Sequence, residues 1–236
     1  MRRKSRAAET ARKRTRILLV DDHPLVRERL AEVINCEADL MVCGEAEDRH
    51  EAITAIVARA PDLVIVDLTL KDSDGLELIK DIRCKWPGMR TLVVSMHDES
   101  LYAERVIRAG ALGYITKQEA TRKILQAIRR VLNGNVYLDV KVASRIMNRL
   151  TANRGAVTGT PAELLADREL QVFEMIGQGL STSEIAHRLR IGVKTVETYR
   201  ARIKDKLSLK NASELLQFAI SWCRDQQSRR TPPNRG

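Results

Sequence analysis

Leu63-Val64-Ile65-Val66 puts four branched apolar residues in a row, between Pro61-Asp62 and a turn, and the run ends on Asp67. A stretch so short and so uniformly apolar reads as a strand buried on both faces, inside a parallel sheet covered by helices. Three other segments are built the same way. Ile17-Leu18-Leu19-Val20 runs into Asp21-Asp22, Thr91-Leu92-Val93-Val94 into Ser95, and Leu112-Gly113-Tyr114-Ile115-Thr116 into Lys117. A polar residue at the last position of such a strand lies at the carboxyl edge of an α/β sheet, where these folds bind ligands.

Between the strands the apolar spacing changes to a helical period. Pro24 to about Glu37 predicts a helix with Leu25, Leu30, Val33 and Ile34 inward; His50–Ala60 predicts one with Ala52, Ile53, Ile56 and Val57 inward. Gly75–Trp86 carries Leu76, Leu78, Ile79 and Ile82 and is closed by Pro87-Gly88. With a short strand at Met41–Cys43 and helices over 99–109 and 119–133, residues 17–133 form five βα units. That alternation implies a doubly wound parallel sheet, long enough for one independent core.

The rest of the chain differs. Gly134, Asn135, Gly155, Gly159 and Pro161 punctuate a connector over 134–160, which holds a short helix at about 140–150 and a soft stretch near 151–160. Residues 161–226 show no strand signal. Helices are predicted over 167–177 (ended by Gly177 and Gly179), 181–189, 192–207 and 211–223. Ser181 and Glu184 make a capping box, and Arg190-Ile191-Gly192 joins the middle two helices into a helix-turn-helix arrangement. Residues 227–236 read as a flexible tail.

Charge follows the same division. Residues 1–16 carry eight Lys/Arg and one Glu, residues 17–133 carry 16 basic and 20 acidic side chains, and residues 134–236 carry 17 basic and 10 acidic. An acidic α/β half joined to a basic half suggests a regulatory module coupled to a polyanion binder. The first 16 residues are too polar to bury anything and read as a mobile basic arm. A contact to DNA phosphate, a solubilising tail, and residues preceding the true start all remain open for that arm. Cys36, Cys43, Cys84 and Cys223 have no C-x-x-C spacing and make no zinc pattern with the four histidines, so they read as reduced thiols. No apolar stretch approaches the ~20 residues that span a bilayer, and the first residues lack a signal-peptide apolar core. The expectation is a soluble cytoplasmic protein with no membrane partner.

Asp21, Asp22 and Asp67 would repel one another without a cation among them. Mg²⁺ suits such oxygen ligands, with the backbone carbonyl of Thr69 as a further donor and positions left for phosphoryl oxygens. Asp67 can attack phosphorus to give an acyl phosphate, Lys117 can balance the added charge, and Ser95 can donate to a phosphoryl oxygen. His23, His50 and His97 read as structural or surface residues, and Glu45, Glu47 and Asp48 as a solvated acidic loop.

This constellation (Val20-Asp21-Asp22-His23, Val66-Asp67, Ser95 and Tyr114-Ile115-Thr116-Lys117) resembles the receiver domain of bacterial response regulators. The resemblance implies that Asp67 is the phosphoacceptor, fed by a partner histidine kinase. It also implies that Ser95 and Tyr114 form a switch pair, with Ser95 moving toward the phosphoryl group and Tyr114 turning inward behind it. In the basic half, Leu165-Ala166-Asp167-Arg168-Glu169, Gly179-Leu180-Ser181, Glu184-Ile185-Ala186, Lys194-Thr195-Val196-Glu197 and Lys206-Leu207 resemble the LuxR-type helix-turn-helix. The two together are similar to the NarL/FixJ response regulators. Three positions depart from that pattern: Ala166 loses a Thr/Ser cap, so that Asp167 or Thr160-Pro161 starts the helix; Gly192 replaces a Ser cap; and Tyr199 replaces a common His.

Helix 192–207 buries Val196, Ile203 and Leu207 by its spacing, and turns Lys194, Glu197, Thr198 and Ala201 outward. A major groove fits such a helix, with side chains reaching base edges and flanking cations holding phosphates. The expected double-stranded DNA contacts are Lys194, Thr195, Glu197, Thr198, Arg200, Ala201, Arg202 and Lys204. The resulting expectation is a phosphorylation-activated transcriptional regulator, not an enzyme, that dimerises when phosphorylated. Leu215, Leu216, Ala219 and Ile220 on the last helix are its dimer face, shared with the core. Two alternatives stay open: a constitutive DNA-binding protein whose receiver is only a dimerisation scaffold, and an aspartyl-phosphate hydrolase, against which Asp67-Leu68-Thr69 lacks the D-x-D run of such enzymes.

Overall fold

A computed structural model describes residues 14–151 and 161–230; residues 1–13 of the expected basic arm 1–16, residues 152–160 of the soft stretch and residues 231–236 lie outside the described residues, while Thr15 and Arg16, expected in the arm, are the first residues of a strand. Within the described residues the chain groups into two compact units, one of residues up to 70 with 77–143, the other of 71–76 with those from 144 on.

Up to the connector the elements are β1 (Thr15–Val20), α1 (Pro24–Asn35), β2 (Leu40–Ala46), α2 (Arg49–Arg59), β3 (Leu63–Val66), the short β4 (Thr69–Leu70) and β5 (Ser73–Asp74), α3 (Gly75–Lys85), β6 (Arg90–Ser95), α4 (Glu99–Ala109), β7 (Gly113–Thr116) and α5 (Lys117–Leu132); all belong to the first unit except β5 and the first two residues of α3, which fall in the stretch 71–76. Five strands pair in the order β2-β1-β3-β6-β7, all parallel. Ile17, Leu19, Leu63, Ile65, Leu92 and Val94 share one core with Ile34 of α1 and Ile124 and Ile128 of α5. Their alternates Leu18, Val64, Val66 and Val93 are also buried, so both sheet faces are covered. The register aligns Val20 with Val66 and Ser95 with Thr116, which brings Asp21, Asp67, Ser95 and Lys117 to one edge.

Local sequence chemistry sets the helix ends. Pro24 opens α1, and the Asp48 and Asp98 side chains accept from the Glu51 and Ser100 amides to start α2 and α4. Gly110 ends α4 at φ +122, where a Cβ would stand 2.6 Å from Cδ of Arg83. Two inward assignments are corrected: Leu25 is 79% exposed and Val57 70%. Both belong to the helical stripe by spacing, but they lie at positions the sheet does not cover. Arg27, not Leu25, is the buried member of the first turns of α1.

A connector follows, with α6 spanning Val140–Thr151. The second unit holds α7 (Pro161–Leu164), α8 (Asp167–Gly177), α9 (Thr182–Leu189), α10 (Val193–Lys206) and α11 (Ala212–Arg230), which extends past the expected tail boundary at 226. Phe173, fully buried, packs its ring 5.4 Å from Trp222 and 6.0 Å from Phe218. Leu170, Ile176, Ile185, Leu189, Val196 and Ile203 complete this core. Gly177 does more than end a helix: a Cβ there would collide with Sγ of Cys223 and stand 2.6 Å from the Ala219 carbonyl oxygen, so glycine is what lets α8 and α11 approach. Without a side-chain cap at Ala166, the Glu169 carboxylate alone holds the Ala166 amide, at 2.7 Å. Among the described residues no helix is long and apolar enough to cross a membrane.

Candidate functional site

At the carboxyl edge of the sheet, Asp21, Asp22 and Asp67 are 4, 8 and 3% exposed. One ligand atom from each, with one from His23, lies within 4.8 Å of the others. Asp67 is held at both oxygens. Ser95 Oγ donates to Oδ1 at 2.6 Å, and Lys117 Nζ donates to Oδ2 at 2.7 Å. The same ammonium is 2.6 Å from Oδ2 of Asp21. Burial and the neighbouring Asp67 raise the Asp21 pKa, against the pull of Lys117. Burial disfavours the Lys117 ammonium, yet Asp67 and Asp21 outweigh it and hold its pKa above the ordinary lysine value.

Three buried carboxylates against one ammonium leave the cluster short of positive charge, and its oxygen donors are those a hard divalent cation takes. The residues present therefore fit a divalent metal. Asp21, Asp22 and Asp67 would hold it; the His23 nitrogen is the softer donor, less suited to Mg²⁺. His23 was expected to be structural, and it does brace the pair: its Nδ1 lies 2.6 Å from Oδ1 of Asp22 and 3.1 Å from Oδ1 of Asp21, while its amide donates to Asp21.

Sequence reasoning missed Arg27. Its guanidinium reaches back from α1, donates to the Asp21 carbonyl at 2.5 Å, and pairs with Glu45 at 2.9 Å and Glu47 at 3.1 Å. Glu45, near the end of β2, and Glu47 beyond it are solvated as expected, and they also pair with Arg27, while Asp48 caps α2. The signal was available, since Arg27, Leu30 and Ile34 fall on one helical face and an arginine inside an apolar stripe needs acidic partners.

Beside the cluster, the Thr69 hydroxyl lies 3.1 Å from Nε2 of His97. Tyr114 is fully buried, and its hydroxyl donates to the His97 carbonyl at 2.9 Å. The His97 ring packs at a tilt against Tyr102, centroids 4.7 Å apart, so this residue too is more than a loop position.

In the second unit, Ser181 and Glu184 form the reciprocal capping box that starts α9. Arg190, at φ 51, turns the chain toward α10 in a left-handed conformation that glycine would adopt more cheaply. Val196 and Ile203 are buried; Lys194, Thr195, Glu197, Thr198, Ala201 and Arg202 are exposed, with Arg200 and Lys204 half-buried beside them. On α11, Leu215 and Ala219 belong wholly to the core, which leaves Leu216 exposed and Ile220 half-buried.

Two family models match this chain: the response regulator receiver domain over residues 17–129 and the luxR family of bacterial regulatory proteins over 163–219. The oxygen regulatory protein NreC of Staphylococcus carnosus is 33% identical over 209 residues, covering 87% of this chain and 96% of that protein. NreC of Staphylococcus aureus strain MRSA252 is 34% identical over the same shares. Among solved structures, a LuxR-family two-component response regulator from Aurantimonas sp. SI85-9A1 is 35% identical with a TM-score of 0.54, covering 59% of this chain and all 100% of that one. RcsB from Salmonella enterica serovar Typhimurium, bound to promoter P1flhDC in the presence of a phosphomimetic, shares the fold: 23% identity, TM-score 0.59, 89% of this chain and 100% of that one.

Proposed function

We propose, because this chain belongs to the NarL/FixJ family of two-component response regulators and is a DNA-binding transcription regulator, that a phosphoryl group on Asp67 governs its hold on promoter DNA. A histidine kinase supplies that group, in the cytoplasm. The observation that carries the reading is the environment of Asp67: a nearly buried carboxylate with Ser95 on one oxygen, Lys117 on the other and two further acids beside it.

An Asp67 oxygen attacks phosphorus, the bond to the donor nitrogen or oxygen breaks, and an acyl phosphate remains. Asp21, Asp22 and Asp67, with the Thr69 carbonyl, would hold a Mg²⁺, which would neutralise charge on the phosphoryl oxygens. Lys117 and Ser95 give up their Asp67 oxygens and donate to phosphoryl oxygens instead, which stabilises the charge that builds there. Tyr114 in its inward position fills the space behind Ser95, and the phosphorylated form is the one that dimerises. Of the four apolar residues expected at the dimer face, Leu216 and Ile220 are the ones not taken up by the core. The phosphoryl group acts by shifting an existing equilibrium, so its effect is bounded by its differential affinity for the two states.

The test is DNA affinity with and without beryllofluoride, a phosphoryl mimic. A gain in the range of about 5–150-fold is expected, the usual size of a coupling between two sites. Equal affinity in both conditions would instead favour a constitutive binder whose receiver is a scaffold.

The DNA contacts proposed are Lys194, Thr195, Glu197, Thr198 and Ala201 toward base edges, and Arg200, Arg202 and Lys204 toward phosphates. Replacing Arg200 or Lys204 with Ala should weaken binding to every sequence and flatten the salt dependence by about one phosphate's worth each, a change of about 0.9 in the log–log slope. Slopes unchanged in both variants would show that α10 does not dock by these cations.

A further inference from the structure

The edge of the sheet at β7 carries something no βα unit calls for. Tyr137, in the connector, donates its N–H to the Leu112 carbonyl at 2.9 Å and accepts from the Tyr114 N–H at 2.9 Å, making an isolated parallel bridge to Gly113. It is a one-residue sixth strand, laid on the strand that bears Tyr114. Gly113 makes the room: a Cβ there would stand 3.0 Å from the Tyr137 carbonyl oxygen, 3.1 Å from its Cβ and 2.9 Å from Cδ1 of Leu92. Two residues later the Asp139 N–H donates to Oε1 of Glu99 at 2.7 Å. Asp139 then opens α6, its carboxylate accepting from the Lys141 amide and its carbonyl from that of Ala143.

Glu99 is a costly anchor. It is 8% exposed, and burial raises its pKa despite the bond from the Asp139 amide, with Asp139 and Glu119 adding to the rise and Lys123 opposing it. It is also the first residue of α4, so the connector is tied at two points to two different elements: β7 through Tyr137 and α4 through Glu99.

The Tyr114 side chain adds a tie from β7 to the loop that leads into α4. Its hydroxyl reaches from β7 to the His97 carbonyl, in the short loop between Ser95 and Glu99. With Tyr114 inward, that bond holds the loop before Glu99 against β7. Loss of that bond would free the loop that leads into Glu99, and with it the second anchor, to shift relative to β7.

We infer that Tyr137–Asp139 is a two-point reader of the switch, closed on β7 and Glu99 when Tyr114 is inward and loosened when it swings out, which passes the phosphorylation state to the first turn of α6. This rests on the Asp67 reading above and adds the element through which the receiver speaks to the connector.

The experiment uses the full chain with Mg²⁺, with and without beryllofluoride. Amide exchange at Tyr137 and Asp139 is read by NMR, and the fluorine spectrum reports whether the mimic is bound. Bound mimic should slow exchange at both amides by about tenfold or more, the size of an ordinary coupling. Equal exchange with the mimic bound overturns the inference, because a merely structural clasp is as closed in one state as in the other. A fluorine spectrum with no bound signal would instead strike at the Asp67 reading, and the inference falls with it. Glu99→Gln keeps a carbonyl to accept from Asp139 and should keep the slowing; Glu99→Leu removes the acceptor and should bring the mimic's gain in DNA affinity down toward onefold. A Leu variant that binds the mimic and retains the full gain also overturns the inference.

Discussion

Asp67→Asn should take no label from acetyl phosphate above background, while its far-UV circular dichroism stays that of the native chain. The carboxamide has no anionic oxygen to attack phosphorus, so nucleophilic chemistry ends at that atom. The fold survives because the effects on stability oppose one another. Oδ1 of the new side chain can still accept from Ser95, which donates to that position at 2.6 Å. The amide nitrogen then faces Lys117, a donor against a donor, and the 2.7 Å bond is lost. Leaving such a buried group short of a partner costs about 1–3 kcal/mol. Against this, one of three crowded carboxylates is gone, and Lys117 keeps its 2.6 Å contact to Asp21. The Asp21 pKa, raised by burial and then by Asp67, should come down, so that Asp21 holds its charge to lower pH in the variant. A variant labelled as fully as the wild type would remove Asp67 from the acceptor role.

The edge cluster was legible in the sequence because each of its members ends an apolar run. Strand period and strand end are local signals, and a parallel sheet carries such ends to one edge without further information. What the chain did not disclose is what depends on distant partners. Helical spacing groups Leu25 with Leu30 and Ile34, but it does not say how far the sheet extends beneath them; Leu25 is 79% exposed while Arg27 is buried. The partners of Arg27 lie 18 and 20 residues away in sequence, and those of Tyr137 lie on a strand it follows after a whole helix. The Tyr137 bridge has no periodic signature at all, since a single residue added to an edge shows neither alternation nor length. Gly113 was its one trace: a glycine inside a strand marks a close approach of other backbone.

The largest loss of stability should come from Phe173→Ala, and it should fall on one unit alone. Phe173 is fully buried on α8, with Trp222 and Phe218 of α11 against its ring. Truncating a core phenylalanine costs about 3–5 kcal/mol, the transfer free energy of the ring plus the cavity it leaves. Helices of this unit cannot close that cavity easily, because α8 and α11 already meet backbone to side chain at Gly177. A unit this small has little stability to spare, on the order of 3–5 kcal/mol for a single core of its size. The helix-turn-helix should therefore be largely unfolded at 37 °C and its DNA binding lost. The receiver core contains none of these residues; Ile17, Ile65, Leu92 and Ile128 pack among themselves. Acetyl phosphate labelling of Asp67 in the same preparation should then stay near the wild-type level, and thermal melting should resolve an early loss of helix from a later, unshifted transition. Loss of labelling together with DNA binding, in one shifted transition, would mean that the two cores fold as one.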